Sequence, residues 1–205
     1  MDKGYFYRLI YNAGCIRFGD FTLKSGIKSP VYIDFRVLVA NPPLLREIGE
    51  ILGQESRKIG CDLLGAIPYA ALPIGVSASI ASGIPLIYSR KEAKQYGTRK
   101  LIEGEYSPGD RVLIVDDIVT DGASKIEAIV PFKEAGLEIS DILVIIDREQ
   151  GGKRLLGEAG YTLHSLGTLT EIVTSLYNTG KIDKAVMDNV VQFIADNQFS
   201  KINIK

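Results

Sequence analysis

The sequence predicts an α/β domain built on a doubly wound, mainly parallel sheet with helices on both faces, and three observations predict it. Short runs that are apolar throughout, DLLGAI, PLIYS, RVLIVD, DILVIID and YTLHSLG, recur along the chain and read as strands covered on both sides. Helically patterned segments of about 10 to 15 residues separate most of them, the signature of βαβ units. The length, 205 residues, is that of one ordinary domain and suffices to bury most of its apolar surface.

Taken in order, Asp2 to Phe18 place Phe6, Leu9, Ile10 and Ala13 at helical spacing, predicting a helical lead-in that ends near Gly14 or Gly19. In FTLKSGIKSPVYIDFR a Ser-Gly turn separates two extended runs, Phe21 to Lys24 and Val31 to Phe35, which predicts a small two-stranded hood. Asn41 caps a helix opened by Pro42 and Pro43, with Leu44, Leu45, Ile48, Ile51 and Leu52 on its buried face. The strand Asp62 to Ile67 follows, then a helix through ALPIGVSASIAS, the strand PLIYS, a long polar segment from Arg90 to Gly109, and the strand RVLIVD. A helix through ASKIEAIVPFKEAG, the strand DILVIID, a short helix GGKRLLGEAG and the strand YTLHSLG complete the core. Leu169 to Asn197 read as two more helices, the second with Ile182, Val186, Val190, Val191 and Ile194 on one stripe. Residues 1–40 therefore form a lead-in and hood, 41–168 the α/β core, and 169–205 the closing helices of a single domain.

Twenty-four Lys and Arg against 25 Asp and Glu leave a net charge of -1, which removes the global basic field of a protein that coats nucleic acid. A strongly anionic ligand must then be met by a local cluster. Cys15 and Cys61 stand at no motif spacing and, with the single histidine His164, cannot make a structural zinc site. They read as reduced thiols of a cytoplasmic protein. No apolar stretch approaches the ~18 residues of a membrane span, and the N-terminus lacks a basic-then-apolar signal, so a soluble protein is expected. His164, on an apolar strand, reads as a hydrogen-bonded structural residue.

The segment VLIVDDIVTDGAS carries the most chemistry. In an open α/β sheet, ligands bind beyond the carboxyl ends of the strands, where loops and helix N-termini converge. Thr120, Gly122, Ala123 and Ser124 stand where backbone N–H groups and hydroxyls can cradle a phosphate. Asp116 and Asp117 repel phosphate, so they need another task, and vicinal sugar hydroxyls, reached directly or through a bound Mg²⁺, supply one. Adjacent side chains of an ideal strand point to opposite faces, so both acids serve one ligand only if the strand ends at Asp116.

Upstream, residues 90–100 gather Arg90, Lys91, Lys94, Arg99 and Lys100, the local basic cluster that the balanced charge demands. Gly97 and the lack of a helical stripe suggest a mobile loop able to close on a diphosphate. In LKSGIKSPVYIDFR, Lys24 and Lys28 flank a turn near Tyr32 and Phe35, a combination able to hold a flat anionic ring. VLIVDDIVTDGAS resembles the phosphoribosyl diphosphate signature of type I phosphoribosyltransferases. KSGIKSP, RKEAKQYG, VDDIVTDGAS and IDREQGG together resemble, in order and spacing, orotate phosphoribosyltransferase, closest to the transferase half of UMP synthases.

That resemblance implies the type I phosphoribosyltransferase fold and Mg²⁺-dependent transfer of phosphoribose from phosphoribosyl diphosphate to orotate in pyrimidine synthesis. It implies that Lys24, Tyr32 and Ile33 contact orotate or donor, and that Thr120 and Arg148 contact orotate. Tyr69 matches a donor-loop position, with Ala70 where many bacterial members have lysine. Arg90, Lys91, Lys94 and Tyr96 match the diphosphate loop, Lys94 being the catalytic lysine. Asp116, Asp117, Ile118, Val119, Thr120, Asp121, Gly122, Ala123 and Ser124 match the ribose and 5'-phosphate loop, with Mg²⁺ held mainly through the donor and water-bridged to the acid pair. Asp121 departs from the small residue common there and must point away from the phosphate or weaken its binding. The alternative for Arg148 is a surface ion pair with Asp147 or Glu149. The family further implies a homodimer with shared active sites, a separate decarboxylase acting on the product, and no nucleic-acid or membrane partner. A purine or other pyrimidine phosphoribosyltransferase would keep the acid-pair loop but not KSGIKSP or the lysine loop, whereas a non-catalytic regulator sensing the donor would lack an intact lysine loop or add a basic nucleic-acid surface.

Overall fold

A computed structural model describes residues 2–23, 26–90 and 101–199 of the chain. The first helix, α1 (Lys3–Asn12), starts where the Asp2 carboxylate accepts the Tyr5 N–H at 3.0 Å. It ends earlier than the pattern predicts. Gly14 N–H and Cys15 N–H turn back onto Tyr11 and Ile10 carbonyls, and Ile16 enters a strand instead. The hood pairs β1 (Ile16–Thr22) antiparallel with β2 (Lys28–Ile33), so the first hood strand begins five residues before the predicted Phe21. Pairing of Ile16 with Ile33 and Phe18 with Val31 buries apolar side chains that a longer helix would have left apart.

A 3-10 turn (Phe35–Ala40) leads to α2 (Pro42–Ile59), where Asn41 Oδ1 accepts the Leu44 N–H as expected of a cap. The core then alternates: β3 (Leu63–Ala66), α3 (Ala71–Ser82), β4 (Leu86–Ser89), β5 (Ile102–Glu103), β6 (Val112–Val119), α4 (Ala123–Glu134), β7 (Asp141–Asp147), α5 (Gly152–Glu158) and β8 (Thr162–Thr168). Two helices close it, α6 (Leu169–Asn178), opened by a Thr168–Glu171 capping box, and α7 (Lys184–Asp196).

The six strands lie in the order β5-β4-β3-β6-β7-β8, parallel except for β5, which pairs antiparallel with β4 at the edge. Strand β5, two residues long inside the segment expected to be a loop, has too little sequence for any periodicity to register. Alternation along the central strands feeds two cores. Leu113, Val115, Leu143 and Ile145 pack with α1, α2, α3 and α6, whereas Val112, Ile114, Ile142 and Val144 pack with Ile129 and Phe132 of α4. The doubly wound class is therefore present in full.

The closing stripe differs at two positions. Ile182 precedes α7, which Asp183 caps, and Val191 is exposed, with Phe193 taking the buried place beside Val190 and Ile194. His164 Nε2 lies 2.6 Å from Asp141 Oδ1, tying β8 to β7 as a structural histidine should. Cys15 and Cys61 form no disulfide, and burial pushes the Cys15 thiol up to about 12. Among the described residues no helix is long and apolar enough to cross a membrane.

Candidate active site

The chain leaves β3 toward β4 and returns to β6 on the other side, so the strand order reverses between β3 and β6. A crevice opens at such a point beyond the carboxyl ends of the strands. The loop after β3 carries Tyr69, two-thirds exposed, and the end of β6 carries Asp116 to Ser124. At the end of β4, Arg90 is held by an ion pair with Glu103 at 2.9 Å.

Strand β6 does not stop at Asp116 but continues to Val119, against the condition set for the acid pair. Strict alternation nevertheless ends there: Ile118 packs with the same core as Val115, and Val119 joins the core of Ile114. Asp116 is buried and turned into the sheet-helix interface. Its Oδ2 forms an ion pair with the equally buried Lys125 of α4, and its Oδ1 accepts the Asp117 N–H at 2.8 Å. Both oxygens of Asp116 are thus engaged by the protein. Asp117, only partly buried, accepts the Ile118 N–H at 2.8 Å. Burial first, then the charge of Asp116, pushes its carboxyl up to about 7.

The turn from β6 into α4 needs a glycine. Gly122 sits at φ +85, and a Cβ there would meet Leu156 Cγ at 2.9 Å. Thr120 accepts the Gly152 N–H through its carbonyl at 2.9 Å, which locks this turn to the next one. Asp121 Oδ1 accepts the Ala123 N–H at 3.1 Å, so the unusual residue occupies an amide of the first turn of α4 otherwise open to an anion. Ser124 lies exposed in the first turn of the helix.

Beside this turn lies a cavity of about 660 Å³, a size suited to a small molecule, lined among others by Tyr32, Ile33, Ile118, Thr120, Arg148 and Phe199. Arg148 is buried at 7% exposure, yet its Nε and Nη2 meet no hydrogen-bond partner. Burial alone lowers its pKa. The surface ion pair set against the binding reading does not form: Asp147 Oδ1 accepts the Glu149 N–H and Glu149 Oε2 accepts the Thr170 N–H. Gln150 is also buried, with Oε1 unpartnered. An unpaired buried guanidinium is costly, and a group able to accept from it would offset that cost.

Of the hood residues, Tyr32 reaches the cavity, with the Arg17 guanidinium 5.1 Å from its ring centre. Phe35, paired with it in sequence, is fully buried in the main core, because it begins the 3-10 turn rather than continuing the strand. Lys28 is turned to Thr22 Oγ1 at 2.8 Å and does not line the cavity. Lys24, Lys91, Lys94 and Tyr96 lie outside the described residues. Sequence reasoning missed Lys125, Gln150 and Phe199. A signal existed for Lys125, which falls at helical spacing with the buried Ile129 and Phe132, so its charge had to find a partner inside. Among the described residues no group of three or more His, Cys, Asp or Glu could hold a metal ion.

Residues 37–159 match the phosphoribosyl transferase domain family. Uridine 5'-monophosphate synthase of Bos taurus is 39% identical over 95% of this chain, which spans 41% of that relative's length. Orotate phosphoribosyltransferase of Pyrococcus abyssi is 41% identical over 86% of this chain and 96% of its own. Among solved structures, UMP synthase of Leishmania donovani superposes with a TM-score of 0.88 at 37% identity, covering 96% of this chain and 43% of that one.

Proposed function

The chain belongs to the orotate phosphoribosyltransferase family within the phosphoribosyltransferases, and from that premise we propose that it transfers phosphoribose from 5-phosphoribosyl 1-diphosphate to N1 of orotate, releasing orotidine 5'-monophosphate and diphosphate. The observation that carries this reading is Arg148, a buried guanidinium with two unpartnered nitrogens in a cavity next to the phosphate-type turn. Orotate differs from uracil by a carboxylate, the group that such an arginine binds best.

In this reading Tyr32 and Ile33 flank the flat ring, while Thr120 and Arg148 fix its orientation. The turn Thr120–Ser124 holds the 5'-phosphate, and Asp117 accepts from the ribose hydroxyls. Asp116, tied to Lys125, places Asp117, whose carboxylate contributes negative potential as positive charge develops on the ribose ring. Orotate N1 forms the new bond to the anomeric carbon as the bond to diphosphate oxygen breaks, and the N1 proton passes to the departing diphosphate. Lys94, with Arg90, Lys91 and Tyr69, binds the departing diphosphate, and Lys24 contacts donor and orotate. A Mg²⁺ carried mainly by the donor would be reached from Asp117 through water. When bound, it supplies neutralising charge on the diphosphate.

Two apolar side chains on the outer face of α3, Val76 and Ile80, the latter 80% exposed, support a homodimer, as do exposed Val37 and Val39 of the 3-10 turn. Two unbridged thiols fit a reducing cytoplasm. The product is the substrate of a decarboxylase, either a separate chain or a fused one. Orotate consumption, followed by its absorbance with Mg²⁺ and donor, tests the function against adenine, hypoxanthine and uracil. Orotate alone should be consumed at an appreciable rate; turnover of a purine in its place would refute the reading.

A further inference from the structure

The segment after α7 is bound to the Arg148 loop more closely than a chain crossing the surface needs to be. Phe199 N–H donates to the Gln150 carbonyl at 3.0 Å, and Gln150 Nε2 returns a bond to the Asn197 carbonyl at 3.0 Å. Gln198 Nε2 donates to the Glu149 carbonyl at 2.7 Å, and Arg154 Nη2 to the Phe199 carbonyl at 2.9 Å. The loop it grips is a conformation that needs holding. Glu149 adopts φ +59, rare for a side-chain-bearing residue, and Gly151 adopts φ +106. A Cβ on Gly151 would stand 2.5 Å from the Phe199 carbonyl oxygen, so the loop and the segment approach as closely as two backbones can. Phe199 itself lines the 660 Å³ cavity together with Arg148.

We propose that Asn197–Phe199 is a strap that completes the acceptor subsite: Phe199 walls the cavity, and the strap's hydrogen bonds hold the Glu149–Gly151 turn that aims Arg148 into it. Phe199 is then a specificity-determining residue and Gln198 a positioning residue. The alternative is a strap that only stabilises the end of α7, through bonds such as Gln198 Nε2 to the Ile194 carbonyl at 2.7 Å. Two features argue against it: three of the strap's bonds go to residues 149 and 150, next to the orphaned guanidinium, and the aromatic side chain lines the cavity. The proposal rests on the reading of this cavity as the place of the acceptor base.

Steady-state kinetics of the full chain as wild type, Phe199→Ala, Phe199→Leu and Gln198→Ala test it, with thermal melting run alongside. The KM for orotate should rise about tenfold in Phe199→Ala and severalfold in Gln198→Ala, with the donor's KM held within about twofold and Phe199→Leu recovering most of the loss. An orotate KM that moves less than about twofold in both alanine variants, or that moves in step with the donor's KM, overturns the proposal. If Phe199→Ala melts early, Gln198→Ala, at an exposed position, decides by the same criterion. If the wild type turns over a different base, the functional reading fails by itself. The KM comparison made with that base still decides the strap's role.

Discussion

Asp117 bears a clear electrostatic mark, a carboxyl raised from its ordinary 3.8 to about 7 by burial and by the neighbouring Asp116. A carboxyl raised on folding has its charged form disfavoured in the native state. That penalty is absent below the unfolded value, grows as pH climbs from about 4 to about 7, and is complete above. Asp117→Asn should therefore stabilise the ligand-free protein at pH 8, on the order of 1 kcal/mol, and leave it unchanged near pH 3.5. Thermal melting at the two pH values measures this. Orotate turnover should fall at pH 8, where the carboxylate accepts more strongly from ribose hydroxyls than the amide does. Arg148 is the opposite case at the same scale, a cation whose burial is uncompensated until a ligand arrives. Its position was legible in IDREQGG only through resemblance, because one sequence cannot show whether an arginine next to a glutamate pairs with it. The structure decides this by engaging Asp147 and Glu149 with backbone amides.

At the scale of elements, α4 is fastened to β6 by the buried ion pair of Lys125 with Asp116. Removing one member of such a pair leaves the other charge buried alone, which costs about 3 to 5 kcal/mol. Lys125→Met should lower the unfolding free energy by that order in a denaturant titration. Lys125→Met with Asp116→Asn should regain much of the stability without regaining full orotate turnover. Central strands and their helices were legible in the sequence, since apolar runs such as DILVIID and capped starts such as Asn41-Pro42-Pro43 carry their own signals. Three elements were not. Strand β5 is two residues long; the hood's first strand is chosen by its pairing with Ile33 and Val31; and β6 outlasts Asp116 because Ile118 and Val119 pair with Ile146 and Asp147. Each depends on a partner distant in sequence, which local patterning cannot see. The strap was hidden for the same reason, as Phe199 and Gln150 lie far apart along the chain.

For the whole molecule, 24 positive and 25 negative charges are divided by place: carboxylates at the end of β6, a buried guanidinium at the cavity, and the lysines of residues 91–100 beyond the described residues. If the homodimer shares its sites, Lys94→Ala protomers mixed with Asp117→Asn protomers should regain activity on subunit exchange, up to about a quarter of the wild-type rate for random pairing with one intact site per heterodimer. Exchange confirmed by native mass spectrometry with no recovered turnover would show that each site is self-contained. The central claim, that this cavity reads the carboxylate of a pyrimidine acceptor through Arg148, is tested most directly by one ratio: kcat/KM for orotate over that for uracil, in wild type and in Arg148→Ala. The account predicts a large preference for orotate in the wild type that shrinks by at least about a hundredfold in the variant. A preference that survives the loss of Arg148, or a wild type that does not discriminate between the two bases, would contradict it.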